Sequence, residues 1–141
     1  MNLTALESSL RFVLLKANKE TFTAPKAEDA EVPLSHITNY ASLGWLISEY
    51  NDKLSQAEAA EFSIGNESER VRDALAHGRL VAPTKEFPLA LWKFGKVQSG
   101  RVPIEFNQIL TMEWLDQTWK AINEQKEKVD ACSKQRGYPI T

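Results

Sequence analysis

Met112-Glu113-Trp114-Leu115-Asp116-Gln117-Thr118-Trp119-Lys120-Ala121-Ile122 opens the stretch on which the fold class turns. Met112, Leu115, Trp119, Ile122 and Val129 recur at alternating steps of three and four residues, with one position skipped at Lys126. That spacing is the seam of a long amphipathic helix. Lys134 and Arg136 suit its C-terminal end, where the macrodipole favours cations, and Gly137 and Pro139 stop it.

Working back from this helix, residues 81–106 change character. Pro83, Pro88, Gly95, Gly100 and Pro103 break any helix, whereas Leu89, Leu91 and Ala90, Trp92, Phe94 alternate in period two, as do Val102, Ile104 and Phe106. With a turn at Gln98-Ser99-Gly100 the segment reads as a β-hairpin, or a packed loop covering one end of a helical bundle. Before it, Asn66 is a candidate N-cap for a short helix with Glu67 and Glu69 in its first turn, Gly78 as its stop, and Val71, Ala74, Leu75 and Leu80 as core contacts. Earlier still, Ile37, Tyr40, Ala41, Leu43, Gly44, Trp45, Leu46, Ile47, Tyr50 and Leu54 surround a helix capped by Ser35, and Ser55-Gln56-Ala57-Glu58 restarts it as a short extra turn, giving one bent helix or two. Residues 21–34 form an aperiodic surface loop with Pro25 and Pro33. Thr4-Ala5-Leu6-Glu7 has the form of a capping box ahead of Leu6, Leu10, Val13 and Leu14. The expectation is an all-α protein of four to five helices, with the hairpin or extended loop inserted around residues 81–106, in one domain over residues 1–141.

Bulk properties agree with one globular unit of 141 residues: 43% of the residues are hydrophobic and 26% charged. Cys132 is the only cysteine, so an internal disulfide or a thiolate zinc site is not expected, and a reducing, cytoplasmic setting is. Met1-Asn2-Leu3-Thr4 lacks the basic start of a secretory signal, and no apolar run has the length of a membrane span.

The net charge of −2 is unevenly spread. Between residues 70 and 101 stand Arg70, Arg72, Arg79, Lys85, Lys93, Lys96 and Arg101 against Asp73 and Glu86, a local charge of +5 that leaves −7 for the rest. A polyanion is therefore steered to this segment and repelled elsewhere. A solvated basic face would produce the same pattern.

Within the basic segment lies Arg72-Asp73-Ala74-Leu75-Ala76-His77. An arginine offers a planar, permanently charged fork for phosphate oxygens, and an unperturbed histidine moves a proton near neutral pH. Asp73 precedes His77 by four residues, so on a helix the carboxylate can orient the imidazole. Arg72 and His77, five apart, diverge by roughly 140° on a regular helix. Either the helix unwinds before Gly78, or two copies of the chain complete one site. His36 and His77 are the only histidines, and neither HExxH nor CxxC occurs, so no metal centre or cofactor is called for. His36 itself reads as a solvated residue at a helix start. The tryptophans Trp45, Trp92, Trp114 and Trp119 read as core or interface anchors, with Trp92 and Phe94 also able to stack on bases.

The motif Arg72, Asp73 and His77 resembles that of the HEPN superfamily, whose ribonuclease members carry an arginine, a polar residue after it and a histidine four to six residues beyond. The order of helices resembles that family too, and the resemblance implies an up-and-down bundle. It further implies a homodimer whose paired motifs cut RNA without metal, by attack of a 2′-hydroxyl on the adjacent phosphate. On that footing His77 transfers protons, Arg72 binds the scissile phosphate, and Asp73 positions its neighbours. Arg70, Arg79, Lys93 and Lys96 are candidates for backbone contacts. The setting implied is a toxin or defence system with a cognate antitoxin or regulatory protein. Toxin members regulated by a nucleotidyltransferase commonly carry a tyrosine two residues after the histidine, where this chain has Arg79. The alternative is a non-catalytic helical module of the same type that binds a protein, a nucleotide or nucleic acid.

Overall fold

The computed structural model describes residues 3–82, 85 and 89–138. Its elements are α1 (Leu3–Ala17), α2 (Leu43–Lys53), α3 (Gln56–Phe62), α4 (Glu67–His77), β1 (Arg79–Val81), β2 (Ala90–Phe94), β3 (Ile104–Ile109) and α5 (Met112–Gln135). They fall into two compact units, one of residues 1–65 and 122–141 and the other of residues 66–121. The breaks assigned to Pro83, Pro88 and Pro139 lie outside the described residues.

The first unit is helical. Leu6, Leu10, Val13 and Leu14 of α1 pack with Leu43, Leu46, Ile47 and Tyr50 of α2, with Phe62 and Ile64, and with Ile122, Val129 and Cys132 of α5. Burying each such aliphatic side chain is worth ~1.5–3 kcal/mol, against ~0–1 for an exposed ion pair, so this cluster carries the unit's stability. Two of its buried or half-buried polar side chains, Tyr50 and Asn51, are paired, whereas the buried Ser133 Oγ has no hydrogen-bond partner among the described residues. Tyr50 is fully buried and its hydroxyl donates to the Phe62 carbonyl at 2.9 Å. Desolvation pushes its ionisation well above the ordinary tyrosine range. Asn51 closes a two-way bridge, donating to Ile64 O at 2.8 Å and accepting from Ile64 N at 3.1 Å.

Local signals explain most boundaries here. Ser55 and Glu58 form a complete capping box, so of the two readings, one bent helix or two, the chain takes two. The helix expected from Ser35 begins later. Ser35 caps only a turn, with Ile37 N donating to its Oγ at 3.1 Å and Thr38 N to its carbonyl at 3.1 Å. Ser42 is the true N-cap, accepting from Trp45 N at 3.1 Å. Arg11 fastens the intervening loop to α1 by donating to His36 O at 2.9 Å, Asn39 Oδ1 at 2.6 Å and Ala41 O at 3.2 Å. α1 starts at Leu3, which places Thr4 inside its first turn rather than at the cap. Among the described residues no helix is long and apolar enough to cross a membrane.

The second unit corrects the all-α expectation. β1, β2 and β3 form an antiparallel sheet in that order, so the fold is mixed α and β, with five helices among the described residues. The registers pair Arg79 with Trp92 and Trp92 with Asn107. The hairpin between β2 and β3 closes where anticipated. Gln98 and Arg101 bridge each other at 2.7 and 3.0 Å, and Ser99 and Gly100 both take positive φ, 51° and 74°, as a two-residue primed turn requires. β3 also runs on past Phe106 to Ile109.

The third strand was hidden because β1 follows α4 with only Gly78 between them. Gly78 has ordinary extended torsions, φ −84° and ψ −178°, so its role is steric. A Cβ there would strike the Ala74 carbonyl and lie 2.8 Å from Trp92 O. Leu75 and Leu80 are not core residues, being 46% and 62% exposed; α4 buries Ser68, Val71 and Ala74 instead. The seam of α5 is split likewise. Ile122 and Val129 are buried, whereas Met112 and Trp119 are exposed.

Candidate functional site

α4 places the motif through its buried face. With Val71 and Ala74 turned inward, Arg72 is left exposed, Asp73 partly exposed and His77 at the last helical position. Asp73 and His77 share one side as their spacing predicts, with Asp73 Oδ1 4.0 Å from His77 Nε2. The imidazole is 66% exposed, so the carboxylate orients it loosely in water.

The other Asp73 oxygen is bound more tightly. Oδ2 lies 2.6 Å from Lys93 Nζ, and the same ammonium reaches Glu105 Oε2 at 2.5 Å. Lys93 sits on β2 and Glu105 at the bulge of β3, so two strands and the motif helix converge on one cation. Asp73 and Glu105 hold its ionisation above the ordinary lysine range. Sequence spacing could not show this pairing, because helix and strand meet only in the fold.

The predicted site residues thus divide. Asp73, His77 and Lys93 are brought together. Arg70, Arg72 and Lys96 are exposed and make no ion pair among the described residues. Arg79 leans over the Phe94 ring, its guanidinium carbon 5.8 Å from the centroid. His77 keeps helical geometry, and Gly78 N still donates to Ala74 O at 2.7 Å. The helix therefore does not unwind to bring Arg72 and His77 together, and the two diverge within one copy.

His36 departs from the expectation of a solvated helix-start residue. Rather than solvated, its side chain is 12% exposed and clamped between Glu20, 2.9 Å from Nδ1, and Glu49, 3.0 Å from Nε2. Trp45 stacks on the ring at 6.2 Å between centroids. Burial opposes its charge, but the two carboxylates outweigh that and raise its pKa. Glu20 is lowered: its desolvation is overcome by the backbone and side-chain hydrogen bonds from His36. Both acids lie more than ten residues away in sequence, so local spacing held no signal. The clamp ties the loop of residues 18–42 to α2 and offers neither an open coordination position nor a nucleophile. Among the described residues no group of three or more His, Cys, Asp or Glu is placed to hold a metal ion.

No family model matches the chain, and neither a curated protein nor a solved structure does.

Proposed function

We propose that this chain is a HEPN-like domain that cleaves RNA without a metal ion, through a site completed by two copies. The observation that carries the reading is the asymmetry at the motif. Asp73 is anchored by Lys93, while His77, 4.0 Å from Asp73 Oδ1, stays 66% exposed and Arg72 is exposed without an ion pair among the described residues. A lone copy cannot converge the two groups, and an exposed site gains little from its charges; a facing copy supplies both convergence and exclusion of water. One His77 takes the proton of the 2′-hydroxyl as that oxygen bonds to phosphorus. The bond from phosphorus to the 5′-oxygen breaks, and the second His77 returns a proton to the leaving oxygen. The two Arg72 side chains balance the charge on the phosphoryl oxygens. The products are a 2′,3′-cyclic phosphate and a 5′-hydroxyl. The setting proposed is a toxin or defence system, in the cytoplasm, with an antitoxin or regulatory protein as partner.

The test is product chemistry. RNA incubated with the protein in EDTA should yield ends of those two kinds, and a strand with 2′-deoxy sugars should resist. Products with 5′-phosphate ends, or cutting of the deoxy strand, would rule the mechanism out.

A second reading, a non-catalytic module that binds a protein partner, is favoured by the exposed apolar side chains of Leu75, Leu80 and Met112, the last 81% exposed. It requires that RNA remain uncut under all conditions.

A further inference from the structure

The two faces of the sheet differ in chemistry. Lys93 reaches Asp73 on α4, so this face of β2 is turned to the helix at Lys93; on the other face Ala90 is buried at 5% and Trp92 half-buried, so only the end toward Phe94 is open. By alternation Trp92 and Phe94 stand on the opposite face, with Arg79 and Asn107 beside Trp92 in register. Ring contacts agree with that placement. The Trp92 and Phe94 rings meet edge to face at 6.2 Å, and Arg79 lies over Phe94. Phe94 is 37% exposed, and Arg79 and Asn107 are exposed as well.

We infer that this face, built on Arg79, Trp92, Phe94 and Asn107, is a stacking surface for the unpaired bases of single-stranded RNA. Charge selects the occupant. No acidic residue stands on this face of the three strands, because Glu105 is committed to Lys93. Arg79, Lys96 and Arg101 are exposed and without ion pairs among the described residues. Flat π-surfaces interleaved with cations suit a phosphate chain whose bases are splayed out, since every base has a face to stack and no particular edge must be read. Asn107 adds an amide that can donate to or accept from a base edge. A duplex hides its bases and presents only phosphates, so it gains nothing from the rings. The inference deepens the ribonuclease reading by naming the form of RNA taken, and it concerns binding rather than bond cleavage.

Binding is measured by fluorescence anisotropy on the full chain, with a labelled 2′-O-methyl oligouridylate of about twelve nucleotides, within the span that such grooves cover. That strand lacks the nucleophile and cannot be cut. Expected is binding to the strand but not to its duplex, weakened about fivefold or more by Phe94→Ala and by Trp92→Ala, the lower end of the loss for one stacked base. Phe94→Leu keeps the bulk at the site, and its loss of affinity with an unchanged melting temperature attributes the effect to the ring. Oligothymidylate of the same length is the comparison for the sugar; preferential binding of the DNA overturns the inference. Equal binding of strand and duplex also overturns it, as does wild-type affinity in both Phe94 variants. Cleaved RNA with unaffected Phe94 variants removes the platform and spares the nuclease; tight strand binding without any cleavage does the reverse.

Discussion

Lys93 Nζ lies 2.6 Å from Asp73 Oδ2 and thereby fastens the middle strand of the sheet to the helix that carries the candidate motif. The carboxylate that orients His77 is itself held in place. Rigid support of this kind matters because a proton-transfer group gives its advantage only when its geometry is set before the substrate arrives.

This support is partly open to solvent, and exposed pairs are screened by salt. Lys93→Met should lower the stability of the protein in urea at low ionic strength, and the deficit should shrink when salt is raised. An undiminished deficit in high salt would contradict a screened charge interaction as the source of the contribution.

Gly78 is needed for close approach rather than for unusual torsions, so Gly78→Ala should destabilise the protein by about 1–3 kcal/mol, the ordinary range for overpacking. Chemical denaturation measures this directly. A neutral substitution would show that α4 and β1 can separate without loss.

The helices and one hairpin were legible in the sequence, the third strand and with it the mixed fold class were not, and the exceptions have physical causes. The turn at Ser99 and Gly100 was readable because its torsions demand particular residues. The end of α4 was readable from Gly78, and the pairing of Asp73 with His77 from their spacing. β1 was not, since three residues directly after a helix leave no turn cluster and no period to detect. β3 outran its signal because Asn107 and Gln108 interrupt the apolar alternation. The α5 seam was correctly spaced, but spacing cannot tell which end is covered, and Met112 is not. Long-range polar pairs, Lys93 with Asp73 and His36 with its two acids, depend on chain reversals that no local window contains.

The clamp at His36 makes stability depend on pH from two sides. His36 has a raised pKa in the folded chain, so its contribution is complete below the ordinary histidine value and is lost as pH rises through the raised one. Glu20 is lowered, so its contribution is present above the ordinary carboxylate value and is lost as pH falls through the lowered one. Glu49 and Glu20 face the ring, and Arg11 donates to the His36 carbonyl. Urea midpoints should therefore fall as pH rises above the ordinary histidine value, and His36→Gln should flatten that fall. A wild-type curve parallel to that of the variant would contradict the clamp.

Arg136 donates from Nε to Glu58 Oε2 and from Nη2 to Glu58 Oε1, both at 2.8 Å, and caps Lys53 O at 2.8 Å. The guanidinium holds the Glu58 carboxyl down to about 2, with the Ser55 backbone adding to the effect. A lysine cannot form that fork, so Arg136→Lys should cost about 1 kcal/mol in denaturation at neutral pH. Because Glu58 is lowered, its contribution is present above the ordinary glutamate value and vanishes as pH falls toward about 2. The gap between wild type and variant should close over that acid window. A gap that persists at the acid end would place the cost elsewhere.

The most direct measurement is the rate of RNA cleavage in EDTA by the wild type, His77→Ala and Arg72→Ala at equal folded concentration. Each variant is expected to lose roughly a hundredfold or more, the usual loss when a proton-transfer group or a charge-stabilising donor is removed. Cleavage at the same rate by all three proteins, or by none, would contradict the assignment of the reaction to this motif.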